Sequence, residues 1–423
     1  MLHVLKSSWA LLLGMMLLML GNGLQGSLLG VRGGDEGFSA FQMSMVMSAY
    51  FVGFLIASRL TPSMIRNVGH VRVFAALGSF ISAVLILYPA FPHPITWMLG
   101  RVVIGFCFCG VYVTAESWLN NSATNETRGQ ALSLYMIVQM VGIIVAQQML
   151  VIPDDSGFLL FVIPSVLVSI AFAPILLTVT PTPAFETTKP MNLVALYKTS
   201  PLGCTGMFLM GGVYGAQFGM SAVFGREAGL SLGQISLFVS AIYTGALIAQ
   251  YPLGWLSDKV DRRRLITLVS AVGGAAALVA MLFEVPFYAL LGLAFVIGGA
   301  ANPLYSMLIA YTNDFLPHED MASASAGMLF INGLGAIAGP LLAGWVMEQI
   351  GARGYFLQIS VLMLLMTLYG LYRMTVRAAP SVSDTNSYAP LAPTGTIVAM
   401  EVAQEYAIDA ETERAEAETR LSA

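Results

Sequence analysis

Asn22 and Gln25 stand three residues apart inside a long apolar run, and Tyr214 and Gln217 repeat that spacing in a second run. Residues three apart share one face of a helix. Amides held in hydrocarbon either bind a polar ligand or hydrogen-bond a neighbouring helix, and both readings stay open for these pairs. Arg101 is the only basic residue placed well inside an apolar run. A cation there needs water, an anion or a carboxylate, unless it bonds carbonyls of the next helix or snorkels to the nearer face. If it meets a substrate, an anionic or hydroxyl-rich ligand follows. Gln139, Tyr243, Asn302 and Asn332 fall near the middle of other runs, each a candidate pocket wall or a packing residue.

Glu116 is the acid of greatest chemical interest. Arg101, Gly105, Tyr112 and Glu116 lie within about 60° of one another around a helix, but helical rise separates Glu116 from Arg101 by about 22 Å. They cannot pair. Glu116 either forms a gate salt bridge with Arg128 or the basic loops, or carries a proton as a titrating carboxylate. No carboxylate lies at the middle of any span, which argues against proton coupling in mid-membrane. Other chemistry is poorly supplied: His3, His70, His93 and His318 lie at loops or termini. Cys107 and Cys109 point about 200° apart, Cys204 is alone, and no phosphate-binding glycine loop is present. No catalytic residue, metal, disulfide or cofactor is expected, and the chain is not read as an enzyme.

The elements that hold these groups are membrane helices. The 423 residues are 57% hydrophobic and 10% charged, with a mean hydropathy of +0.77, against roughly 25% charged residues in soluble domains. Apolar runs predict twelve spans at 9–30, 39–60, 72–90, 95–117, 129–151, 158–179, 201–222, 232–253, 265–284, 286–311, 323–346 and 354–374. Each suffices to cross about 30 Å of hydrocarbon. With the N-terminus inside, thirteen of the nineteen basic residues fall at one face and only Arg32, Arg226 and Arg353 at the other. Both termini are therefore expected in the cytoplasm.

Sliding the sequence on itself by 192 aligns Gly23 with Gly215, Gln25 with Gln217, Ser39 with Ser231, Gln42 with Gln234 and Gly53 with Gly245. At 193 the match continues with Gly105 on Gly298, Tyr112 on Tyr305 and Gly142 on Gly335. Two parallel six-helix repeats follow: an N-terminal bundle over 1–179, a central cytoplasmic linker over 180–200 and a C-terminal bundle over 201–376. Beyond it, 377–423 carries eight acids, and its basic residues after Ala379 are Arg414 and Arg420. The net charge of −4 originates there, and a solvated, disordered cytoplasmic tail is expected.

The charged turn GWLSDKVDRRR, Gly254 to Arg264, joins the second and third helices of the second repeat. With the repeats and the linker, it resembles the signature loop of the major facilitator superfamily, over about residues 9 to 376. Asp261 stands where that family usually has a second glycine. The N-terminal counterpart, Pro62 to Arg72, keeps Gly69 and Arg72 but has Arg66 in place of the acid. Arg101-Val-Val-Ile-Gly105 is similar to the family's arginine-x-x-x-glycine pattern. The Gly-Pro motif of many drug/proton antiporters is missing from the fifth span, where Gly142-Ile-Ile-Val-Ala146-Gln147 stands. The general pattern, including ESWLNNSATNETRGQ, is similar to YcaD-like bacterial permeases.

The resemblance implies an all-α integral membrane protein that works by alternating access. Asp258, Arg262 and Gly254 would form the inner gate, and Glu116 with Arg128 resembles the glutamate and arginine of the sugar-porter gate. The expected function is secondary active transport of a small polar metabolite, sugar-like or anionic, across the cytoplasmic membrane. Multidrug efflux or a non-transporting sensor are the alternatives. The expected partners are a small-molecule substrate, the lipid bilayer and, optionally, a coupling proton. Nucleic acid is not among them, and a monomer is expected.

Overall fold

The computed structural model describes residues 2–122, 127–154, 156–177, 190–377, 385, 388–405 and 408, with backbone alone at 2–8, 121, 122, 128 and 175–177. Its helices up to residue 377 are α1 (Leu2–Asp35), α2 (Ala40–Val68), α3 (His70–Ala90), α4 (Pro94–Ser122), α5 (Arg128–Met149), α6 (Leu159–Leu177), α7 (Leu193–Thr199), α8 (Pro201–Glu227), α9 (Leu232–Ser257), α10 (Arg262–Leu282), α11 (Phe287–Asn313), α12 (His318–Ile350) and α13 (Gly354–Val376). Eleven of them, α1–α5 and α8–α13, are long and apolar enough to cross a membrane, and α6 is a shorter apolar helix with Pro164 and Pro174 inside it. Several helices outrun their apolar cores. α2 continues through Arg59, Pro62 and Arg66 to Val68, because a helix persists past the hydrocarbon as long as its backbone bonds are made, while hydropathy sees only the apolar part.

The packing repeats with the sequence. α1 packs on α5 and α6 as α8 packs on α12 and α13; α2 on α4 as α9 on α11; α3 on α4 and α6 as α10 on α11 and α13. Individual contacts repeat too. A Cβ on Gly53 would meet the carbonyl of Val102 and one on Gly245 that of Phe295. A Cβ on Gly105 would meet the carbonyl of Tyr50 and one on Gly298 that of Ile242. Only glycine lets these backbones touch. Ser39 with Gln42 and Ser231 with Gln234 form identical capping boxes at the starts of α2 and α9, each satisfying two helix-end groups reciprocally.

On the face opposite the basic turns, the repeats close on each other. Asp35 at the end of α1 pairs with Arg226 at the end of α8 at 2.9 Å, Ser48 Oγ donates to the Ile337 carbonyl at 2.6 Å, and Gln148 Nε2 donates to Ser240 Oγ at 3.1 Å. The α2–α12 seam stays in contact as far as Arg59, whose guanidinium lies 4.4 Å from the Phe330 ring centre.

One expectation needs correction. Within the linker lies α7, whose N-terminus is capped by Asn192 accepting from the Val194 N–H at 2.9 Å; positions 180–189 lie outside the described residues. The described part of the tail is not solvated. Residues 388–405, helical over 397–405, run between the helices at the basic face, and Leu391, Ala392, Val398, Ala399, Met400, Val402 and Ala403 are buried there. The reason lies in the local pattern: the acids that dominate the tail's composition come mostly after 405, whereas 388–404 is largely apolar.

Candidate functional site

The close approach at Gly105 explains the Arg101 site. With α4 pressed on α2 at Tyr50, the residue one turn earlier reaches over the same side chain, and the Arg101 guanidinium sits 4.7 Å from the Tyr50 ring centre. Arg101 is fully buried. Its Nη1 donates to Gln25 Oε1 at 3.0 Å, Gln25 Nε2 donates to Asn22 Oδ1 at 3.1 Å, and Asn22 Nδ2 donates to the Tyr112 hydroxyl at 2.9 Å. Tyr112 in turn points at Met19 Sδ at 3.6 Å. Every donor in this chain faces the same way and the last acceptor is a weak thioether. Arg101 Nε and Nη2 have no hydrogen-bond partner among the described residues. Two unmatched nitrogens, bearing three N–H groups, on a buried cation form a donor set suited to an anionic or hydroxyl-rich ligand, since leaving them unmade is costly.

Tyr50 is also a wall of the cavity between the two repeats. That cavity is lined by Phe51, Phe54, Ser58, Tyr214, Asn332 and Ala336, and Tyr50, Phe51, Tyr214 and Phe218 form one aromatic group with ring centres 5.2 to 6.0 Å apart. A second cavity holds Met136, Met140, Gln250 and Asn302. A third lies beside Glu116, Leu119 and Leu132. Tail residues form part of the wall of each.

The structure places the sequence-derived residues unevenly. Asn22, Gln25 and Arg101 come together with Tyr112. Their repeat mates do not form a matching network: Tyr214 belongs to the aromatic wall, and Gln217 is buried with its Nε2 unpartnered among the described residues. Tyr243 is buried. Asn302 Nδ2 reaches the Gly298 carbonyl at 3.3 Å, Asn332 lines the central cavity, and Gln139 accepts from Thr394 at 3.4 Å. Glu116 does not face a basic partner in the described contacts. It accepts from the Tyr135 hydroxyl at 3.2 Å, from the Thr396 and Ala399 N–H groups at 3.3 Å each, and from the Thr396 hydroxyl. The side chain of Arg128 lies outside the described residues.

At the basic turn, Arg262 is 2% exposed. Its Nη1 donates to both oxygens of Asp314 at 2.7 and 2.8 Å, its Nη2 to Asp258 at 3.2 Å and its Nε to Ser257 at 2.9 Å. Asp261, at the position where a glycine was expected, caps α10 by accepting from the Arg263 and Arg264 N–H groups, a role glycine cannot fill. Arg263 Nη1 donates to the Arg373 carbonyl at 3.3 Å, at the C-terminal end of α13, where a cation is favoured. Gly254 packs on the Tyr388 ring, which would collide with any Cβ there. Sequence reasoning missed Asp314, Tyr50 and Gln250. Only the acid near the end of α11 offered a signal, and it needed the fold to reach Arg262.

Comparison with known proteins agrees with this architecture. The family model for the Major Facilitator Superfamily matches residues 11–224 and 202–402. The MFS-type transporter YcaD of Salmonella heidelberg and Salmonella typhi is 26% identical over 354 residues, covering 83% of this chain and 91% of that protein. Among solved structures, the nucleoside transporter NupG superposes with a TM-score of 0.72 at 16% identity over 86% of this chain and 99% of that one. A bacterial homologue of the human lysosomal transporter Spinster, inward-facing and unoccupied, gives 0.66 at 13% identity over 96% and 98%. The E. coli fucose:proton symporter FucP gives 0.56 at 15% over 86% and 98%. With more than half the chain matched by the family model and the repeated helix packing in place, this multi-pass membrane protein belongs to the Major Facilitator Superfamily of transporters.

Proposed function

We propose that the protein moves a small polar metabolite, sugar-like or anionic, across the cytoplasmic membrane by alternating access of two six-helix halves, with twelve spans and both termini in the cytoplasm. The observation that carries the substrate class is the buried Arg101, held by Gln25 and Tyr50 with its Nε and Nη2 unmatched among the described residues. The aromatic wall of Tyr50, Phe51 and Tyr214 supports a ligand with a flat or ring-shaped face, which such side chains cover well. The neighbours whose names state a cargo carry nucleosides or fucose, both ring-shaped and rich in hydroxyl groups, which is compatible with this reading.

The test is a thermal-shift screen of the full-length protein in detergent against sugars, nucleosides, organic acids, amino acids and hydrophobic cations, followed by flux into proteoliposomes. Ligand at 100 times its Kd stabilises by roughly 2.7 kcal/mol. A polar hit that disappears in Gln25→Ala and Arg101→Gln supports the reading. Stabilisation by hydrophobic cations alone, unchanged in both variants, would instead establish multidrug efflux and leave the Asn22–Gln25–Arg101 chain as helix-to-helix bonding.

A further inference from the structure

We propose that residues 388–405 are an autoinhibitory plug: a tethered segment of the chain that occupies the translocation cavity from the basic face and must leave before substrate can enter there. The inference rests on the transport reading for its consequence, but the occupancy itself stands on contacts alone.

The segment binds both repeats with groups matched to it. From the first repeat, Glu116 on α4 collects the Thr396 and Ala399 N–H groups and the Thr396 hydroxyl. The two N–H groups are among those that the start of the helix over 397–405 leaves unpaired, so a carboxylate from the body of the protein caps the tail helix. Gln139 on α5 accepts from Thr394. From the second repeat, Gln250 donates to the Tyr388 hydroxyl at 2.7 Å, and Ser306 exchanges hydrogen bonds with both the N–H and the carbonyl of Leu391. Asn313 donates to Gln404 at 2.7 Å, which donates on to Ser325 at 3.0 Å. A segment passing by chance would not place its backbone on side chains of α4 and α11 and its own side chains on those of α5, α9, α11 and α12.

Its position is that of an obstruction. The repeats meet directly on the opposite face, through Asp35–Arg226, Ser48–Ile337 and Gln148–Ser240. Toward the basic face α5 and α9 have Leu391, Ala392 and Pro393 beside them, in the cavity that holds Met136, Met140 and Gln250. Pro393 and Thr394 reach the aromatic cavity of Tyr50 and Tyr214, and Ala399 and Val402 fill the space beside Glu116. A free ligand entering from this face meets the same polar groups already engaged. Because the competitor is covalently attached, it acts at an effective concentration on the order of 1 mM.

The experiment reads occupancy without knowing the substrate. In a Cys107→Ala, Cys109→Ala, Cys204→Ala background, single reporters Leu132→Cys and Ala246→Cys, which border the segment, are labelled with a hydrophilic maleimide in detergent. The full chain is compared with one ending at Arg377, and with a full chain carrying Ala399→Arg and Ala403→Arg, whose charges do not fit the buried positions. Labelling is expected to be faster by on the order of tenfold or more when the segment is absent or expelled, and a synthetic peptide of residues 385–408 should slow it again in the shortened chain. Equal rates in all three forms would overturn the plug. Should the shortened chain fail to give a folded peak on gel filtration, the full-length double-arginine form decides the matter alone. Failure of flux in every form would count against the transport reading, while the labelling result would still judge the plug.

Discussion

Asp314 is the residue whose removal should be felt most at the basic turn. Its carboxylate takes two hydrogen bonds from Arg262 Nη1, and both side chains are 1% exposed. Asp314→Ala leaves a guanidinium buried beside Ser257 and Asp258, the latter at 3.2 Å and 20% exposed. Breaking a buried pair from one side costs about 3–5 kcal/mol; with Asp258 still near, the lower end applies. About 3 kcal/mol corresponds to roughly two orders of magnitude in the folding equilibrium. Arg262→Met should cost at least as much, since it removes the bonds to Asp314, whose carboxylate is 1% exposed, as well as those to Asp258 and Ser257. The double variant Arg262→Met, Asp314→Leu removes both charges and fills the space, and should recover most of the loss, because a buried pair is often matched by apolar groups of similar volume. Unfolding of the four proteins in detergent, followed by intrinsic fluorescence against denaturant, gives the cycle. A double variant as damaged as the sum of the singles would refute the reasoning, because contacting residues should be coupled by about 0.5–3 kcal/mol.

Asp258→Asn should impair transport while leaving the fold intact, since it weakens the bonds to Arg262 and to the Tyr388 N–H without emptying the position; full flux in the variant would discard Asp258 as a gate residue. Gly105→Ala drives a methyl into the Tyr50 carbonyl and should destabilise by about 1–3 kcal/mol. Gly292→Ala, where nothing lies within 4 Å, should stay within about 0.5 kcal/mol of wild type, so equal melting of the two variants would contradict the packing account. At the opposite face, partial burial pushes the Asp154 carboxyl up, but hydrogen bonds from Ser156 Oγ at 2.6 Å and the Leu160 N–H at 3.0 Å outweigh it and hold the group below its usual range. Its contribution is therefore present above the ordinary carboxylate value of about 3.9 and is lost as pH falls through the lower folded value. The melting difference between wild type and Asp154→Asn should shrink on acidification, and a difference constant with pH would remove Asp154 as its source.

Helices and repeat were legible because each rests on local signals. Apolar runs mark the spans, and the offset of 192 to 193 aligned residues that prove to do the same job twice. Ser39 and Ser231 cap, Gly53 and Gly245 admit a carbonyl, and so do Gly105 and Gly298. The Asn22–Gln25 pair was legible from its spacing, and Arg101 from its cost in hydrocarbon. What could not be read was whatever depends on distant chain segments meeting. Arg262 and Asp314 are 52 residues apart, and Glu116 meets Thr396 across 280. The tail was misread for a different reason: composition averaged over 377–423 hid an apolar stretch behind the acids that follow it.

The comparison of the repeats also separates fold from chemistry. By the same offset of 193, Arg101 falls on Ala294 and Glu116 on Ile309, while Gln139 falls on Asn332. The close-contact glycines, the caps and the Gln25 and Gln139 amides are thus kept in both halves, but the two buried charged groups of α4 exist in one only. A residue needed to let helices touch must recur wherever the packing recurs, and the observed contacts of Gly105 and Gly298 recur down to the partner carbonyl. A residue that binds one asymmetric ligand has no such obligation. If Arg101 and Glu116 served packing, their mates in α11 would face the same demand and carry polar groups; instead Ala294 and Ile309 are buried among apolar neighbours. The break in symmetry therefore lies at the two ends of one helix, with Arg101 in the polar chain from α1 and Glu116 on the tail helix. Under the proposed function, the ligand would meet α4 at Arg101 and the plug would meet the same helix face at Glu116.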